Sequence, residues 1–325
     1  MLKTIARNAS VLLLLSLAPW CVWAYPYSQI FVLGDSLSDN GNAAIATLAT
    51  GGTLAAPPFD PVPSAPYAIS GRVTNGPVWV EYLAKDLGNT LTPSLAGGTD
   101  FAFGGARIIQ GATPIPALQT QYAQLLNAVP ALPTNALYVV WGGSNDTRDA
   151  LVAQNPSLLD TAVDGLESII RGLAAAGATN FLVPNVPDLG LTPEARDGGA
   201  ALQFAATTFS ALFNSELKAA IGDILTDLSG LTIDTLDVFG LLQEVVGPPL
   251  TMGFTDATNP CLTFNTSGPG AYCSDPGTRF FWDAIHPTTA GHAAIAAAAL
   301  QLIPEPATLA LLGLIVLVGL GRRAR

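Results

Sequence analysis

The chain has 325 residues, half of them hydrophobic and only 11% charged, with a formal net charge of −11. That length and apolar content support a sizeable core and exclude intrinsic disorder. Five of the 13 basic residues but only one of the 24 acidic residues lie in the two end segments, which leaves 8 bases against 23 acids and a net of −15 between them; such a surface repels phosphate backbones and excludes nucleic acid as a partner.

At the start, Lys3 and Arg7 precede an apolar run from Val11 to Leu17, then Val22-Trp23-Ala24. This is the layout of a secretory signal peptide over residues 1–24, with the mature chain beginning at Tyr25. Cys21 is lost with that segment, because Trp20 in front of it does not suit lipoprotein processing. The first strand is predicted at Gln29–Leu33, followed by a helix over Pro77–Leu87 and another over Ile115–Ala128. A second strand follows at Ala136–Trp141, a helix at Ser157–Ala176 and a third strand at Asn180–Pro184. A helix over Ala200–Leu228, a strand at Leu231–Val238 and a helix over Thr288–Leu302 complete the pattern. Pro77 suits a helix start and Gly177 a helix end. Strands alternating with helices predict a parallel sheet covered on both faces, built by right-handed crossovers, in one domain over residues 25–303.

Residues Gly247 to Thr278 break this rhythm with many Pro, Gly and Asn, and they hold the two remaining cysteines, Cys261 and Cys273. In an exported chain, two cysteines so close together read as a local disulfide rather than a metal site, which needs more ligands nearby. A short loop closed in this way is stabilised by about 3 kcal/mol. The far end reads Pro304-Glu305-Pro306, an apolar run from Ala307 to Gly321, and Arg322-Arg323-Ala324-Arg325. This run is shorter than the roughly 20 residues that cross a bilayer untilted, and it lacks the polar face of a surface helix.

The chemistry gathers where strands end. Phe31-Val32-Leu33-Gly34-Asp35-Ser36 carries an apolar strand straight into a serine, and Gly142-Gly143-Ser144-Asn145-Asp146 follows the strand ending at Trp141. In a parallel sheet both arrive at one edge, where sites form. Far downstream, Asp283-Ala284-Ile285-His286-Pro287 sets a carboxylate three residues from one of only two histidines. Acyl transfer by a serine needs an imidazole to take its proton and a carboxylate to fix the imidazole tautomer, and Ser36, His286 and Asp283 supply these parts. The developing oxyanion needs donors. Asn145 offers a side-chain amide, Ser36 its own N–H, and either Gly104 or Gly105 a backbone N–H. Asp35 and Asp39 lack the spacing of a calcium loop and read as turn or capping residues, so no metal and no cofactor are expected. His292 reads as structural.

These residues resemble the GDSL, or SGNH, esterases and lipases. Gly34 to Asp39 is similar to the nucleophile block, Phe101 to Ala106 to the glycine block, Gly143 to Asp146 to the asparagine block, and Asp283 to Pro287 to the Asp-x-x-His block. Gly71 to Val80 resembles a segment of the branch that includes secreted lipases. The resemblance implies a flavodoxin-like three-layer α/β/α sandwich that hydrolyses carboxylic esters, with Ser36, Asp283 and His286 catalytic. Its oxyanion residues would be Ser36, Gly105 and Asn145, with the register of the doubled glycine left open. Asp100 departs from the pattern, which commonly has Asn there. The ends at 304–325 resemble PEP-CTERM sorting tails of Gram-negative bacteria. That likeness implies an exosortase-type processing enzyme as partner, transient membrane association through the tail, and an envelope or extracellular-matrix location. The substrate expected is a small-molecule or lipid ester. Transfer or removal of acyl groups on exopolysaccharide or lipid is the alternative, and a catalytically silent envelope binding module is the rival of a different class.

Overall fold

A computed structural model describes residues 27–50, 71–111, 113–248, 250–265 and 268–303. The expected signal peptide and sorting tail lie outside the described residues. Four fully parallel strands, β1 (Ile30–Gly34), β2 (Leu137–Trp141), β3 (Asn180–Pro184) and β4 (Thr232–Leu236), pair in the order β1-β2-β3-β4. The register sets Gly34 opposite Trp141 and Pro184 opposite Leu236. An irregular segment from Thr99 to Phe103 lies along the free side of β1: the Val32 N–H donates to Thr99 O, and the N–H groups of Phe101 and Phe103 donate to Val32 O and Gly34 O.

Strands β1 and β2 are buried at every position, the signature of a parallel strand covered on both faces. Their side chains alternate between two cores. Phe31, Leu33, Tyr138, Val140, Phe181 and Val183 face one. Ile30, Val32, Leu137, Val139, Trp141 and Leu182 face the other. The first core is closed by α3 (Leu118–Ala128), α5 (Ser157–Ala175) and α7 (Ala200–Asp227), and the second by α2 (Trp79–Asp86), α8 (Val238–Val246) and α9 (Thr289–Leu302). This is the expected α/β/α sandwich. Strand β4, with Thr232 and Thr235 exposed, is a polar edge, which discourages pairing with another chain.

Every predicted strand and helix recurs within about two or three residues of its expected bounds. Four further helices were not anticipated: α1 (Asn42–Ala49), α4 (Ser144–Ala153), α6 (Pro193–Asp197) and α8. Pro77 is not the first helical residue of α2; Val78 is the N-cap, and its N–H donates to Glu81 Oε2 at 2.9 Å. The irregular stretch before the Asp/His pair holds a small antiparallel hairpin, β5 (Leu262–Asn265) with β6 (Gly268–Tyr272). Cys261 and Cys273 are disulfide-bonded at its open end. Among the described residues no helix is long and apolar enough to cross a membrane.

Candidate active site

Ser36 stands two residues past β1, on the turn that ends the strand. A side-chain amide fixes that turn: the Gly34 N–H donates to Gln121 Oε1 and Gln121 Nε2 donates to Gly34 O, both at 2.9 Å. Gln121 is fully buried on α3, so it acts as one rung of a strand against Gly34, two residues before Ser36. Nothing in the sequence pattern marks this role. Asp35 is buried and accepts the Leu37 N–H. Asp39 caps α1, its carboxylate accepting the N–H groups of Gly41, Asn42 and Ala43.

The loop that carries Asp283 and His286 is closed by the Trp282 N–H donating to His286 O at 2.7 Å. Asp283 Oδ1 accepts the N–H groups of Ile285 and His286 at 2.9 and 2.7 Å. The His286 Nδ1 lies 3.0 and 2.9 Å from the two carboxylate oxygens of Asp283, and its Nε2 lies 2.9 Å from Ser36 Oγ. A hydroxyl, an imidazole and a carboxylate therefore touch in series, although 250 residues separate the first two. Burial pushes the Asp283 carboxyl up, but the charge of His286 and the hydrogen bonds from its ring and the two backbone N–H groups outweigh this and hold it below the ordinary value. The contact on Nδ1 selects the tautomer that leaves Nε2 to accept from serine.

Outside support for this loop comes from three places. Strand β5 runs against it, with the Cys261 and Leu262 N–H groups donating to Phe281 O and Trp282 O at 3.0 and 2.6 Å. The Glu194 N–H, in α6, donates to Ala284 O at 2.9 Å. Thr74 Oγ1 donates to Pro287 O at 2.9 Å and Asn75 Oδ1 accepts the Thr289 N–H at 2.8 Å, so the Gly71 to Val80 segment braces the start of α9. His292, on α9, is fully buried, and its ring is held far toward the neutral form, down to about 3, chiefly by burial.

The expected oxyanion donors arrive at the same edge. Asn145 opens α4 directly after β2, and its Nδ2 donates to Ala106 O at 2.9 Å. That start needs Gly143, at φ 113, because an added Cβ there would run into the Phe213 ring. Of the paired glycines, the Gly104 N–H is occupied, donating to Asp39 Oδ2 at 2.8 Å. Gly105, at φ 77, has no hydrogen-bond partner for its N–H among the described residues, and neither has the N–H of Ser36. Two backbone donors and one amide hydrogen of Asn145 are thus left unspent.

A mainly apolar pocket of about 650 Å³, counted out to open solvent, adjoins Ser36, Asn145 and His286. Trp141, Leu189, Leu241, Leu242, Phe280, Phe281, Ile285 and Ile295 are among its apolar wall residues. The Phe280-Phe281-Trp282 run divides here: the two phenylalanines line the pocket, whereas Trp282 packs with Cys261 and Leu262. Among the described residues no cluster of three or more His, Cys, Asp or Glu is arranged to hold a metal ion.

Comparison with known proteins places the chain in a family. The chain is 29% identical over 331 residues to a protein encoded in the trpE-trpG intergenic region of Pseudomonas putida, covering 92% of this chain and 53% of that one, so it spans about half that relative's length. It is 27% identical over 334 residues to a GDSL esterase/lipase of Arabidopsis thaliana, covering 87% of this chain and 94% of the other. The crystal structure of a member of the lipolytic protein G-D-S-L family from Veillonella parvula superposes with a TM-score of 0.44 at 14% identity, covering 85% of this chain and 97% of that one. The model of the GDSL-like Lipase/Acylhydrolase family matches residues 30–299, and the chain belongs to that family of ester hydrolases.

Proposed function

We propose that this protein is an exported serine esterase that cleaves carboxylic esters with an apolar acyl group through an acyl-enzyme intermediate. Ser36 Oγ attacks the ester carbonyl carbon while its proton passes to His286 Nε2, and Asp283 orients the ring and stabilises the imidazolium. The negative charge that develops on the carbonyl oxygen is met by the N–H groups of Ser36 and Gly105 and by Asn145 Nδ2. His286 then gives its proton to the leaving alkoxide, and water, activated by the same imidazole, releases the acid. The apolar wall beside Ser36 suits an acyl chain better than a sugar or a charged group.

The observation that carries this reading is the unbroken path from Ser36 Oγ through His286 to Asp283. Residues 1–24 would direct export and be removed, leaving a hydrolase domain over 25–303. Residues 304–325 would be recognised by an exosortase-type enzyme at the envelope of a Gram-negative bacterium. The test is labelling with a fluorophosphonate followed by mapping of the modified residue. Labelling at Ser36 that is lost in Ser36→Ala, together with loss of aryl-ester hydrolysis, is the expected result. A folded chain that hydrolyses esters without labelling at Ser36 overturns it.

A further inference from the structure

The segment that presents Gly105 is tied down on both sides of that residue's N–H, which has no partner among the described residues. The Gly104 N–H donates to Asp39 Oδ2 at 2.8 Å, and Gly105 O accepts from Arg107 Nη1 at 2.8 Å. Next along the chain, Ala106 O accepts from Asn145 Nδ2 at 2.9 Å, and the Ile108 N–H donates to Asp146 Oδ1 at 3.1 Å. Arg107 is itself held in a fork: its Nε and Nη2 donate to Asp149 Oδ2 and Oδ1 at 2.9 and 3.0 Å. Asn145, Asp146 and Asp149 all stand on the first turns of α4. One helix therefore supplies one oxyanion donor and, through Arg107, grips the loop that supplies another.

We propose that Arg107, locked by Asp149, is a positioning residue for the oxyanion hole, fixing Gly105 so that its N–H meets the developing charge. This rests on the reading of Gly105 as a donor. Glycine at φ 77 has no side chain to restrict it, and a peptide unit next to it turns easily unless its neighbours are anchored. The clamp supplies that anchor, because with the Gly104 N–H and the Gly105 carbonyl both held, the peptide between them has little room to rotate. The pair is not needed for stability to any large extent: the side chains of Arg107 and Asp149 are 34% and 52% exposed, and ion pairs at such exposure contribute little to stability. Three nitrogens in one plane are required, two for the carboxylate and one for the carbonyl, which only arginine provides.

The test uses the full chain with Arg107→Met, Arg107→Lys and Asp149→Asn, measuring kcat and KM on an aryl ester, inhibition by an aryl boronic acid, and melting temperature. The boronate forms a tetrahedral adduct on serine and reads the hole directly. Arg107→Met should lower kcat by about 10–100-fold, below the loss for removing a donor outright, with KM within about twofold of the parent. Boronate affinity should fall in parallel with kcat, and Asp149→Asn should move both in the same direction by less. An unchanged boronate affinity in Arg107→Met overturns the proposal even if stability drops. Full activity in Arg107→Lys also overturns it, by reassigning the effect to charge. Failure of the parent chain to label at Ser36 would instead defeat the esterase reading, so the two failures are distinguishable.

Discussion

The Ser36 side of the candidate site and the Asp283/His286 side are made rigid by opposite means. Ser36 and Asn145 leave the ends of a buried parallel sheet, with Gly34 in register against Trp141, and Gly105 follows the Thr99 to Phe103 segment laid along the outer side of β1. Asp283 and His286 leave no strand of that sheet; their loop is held by backbone hydrogen bonds to β5, α6 and its own turn, and by the Cys261–Cys273 link nearby. The first half borrows order from the core. The second half has to be stapled, and damage to the two should differ in kind.

The largest effect tests whether both halves act as one unit. Ser36→Ala should lower kcat on an aryl ester by about 10⁶-fold and leave the melting temperature nearly unchanged. Asp283→Asn should cost about 10⁴-fold in kcat, since the amide favours the wrong imidazole tautomer. Asn145→Ala should cost about 10²–10³-fold in kcat with little change in KM. A rise in KM with kcat unchanged would show that the amide acts on ground-state binding instead.

Next comes the staple. Cys261→Ser with Cys273→Ser should lower stability by about 3 kcal/mol in denaturant unfolding, and hydrogen exchange should rise in 279–287 before it rises in β1. Equal loosening of both regions would erase the contrast drawn above. The smallest effect is on pH. Burial raises the Asp146 carboxyl to about 6 against the opposing Ile108 N–H. A carboxyl raised in the fold favours folding while protonated, and that benefit is lost as pH climbs from about 4 through 6. Asp146→Asn should therefore raise the melting temperature relative to the parent above pH 6, by roughly 2–4 °C, with the gap closing toward pH 4.

The sheet and the long helices were legible because two-sided burial writes apolar runs such as Phe31-Val32-Leu33 and Leu137 to Trp141 into the sequence. Helix α4 was not, because Ser144 to Asp149 is polar and carries the site rather than a core face. Helix α8 was hidden by the continuity of the apolar run: the strand was read through Val238, whereas Asp237, whose Oδ1 accepts the Gly240 N–H, already caps a helix. The choice between Gly104 and Gly105 depends on where Asp39 reaches, a contact 65 residues distant in sequence that no local pattern encodes. The roles of Gln121 and Arg107 are hidden for the same reason, since Gln121 acts on Gly34, 87 residues away, and Arg107 is held by Asp149, 42 residues further along.

The register of Gly34 against Trp141 has a consequence for transplanting this chemistry. Side chains on paired strands point alternately up and down, so a slip by one position would turn Ser36 away from Asn145. Anyone grafting the nucleophile half onto a new scaffold must carry both strands and their turns as a single cassette. The Asp/His loop obeys looser rules, because a hairpin clip, backbone tethers and the Thr74 brace locate it without any strand of the sheet.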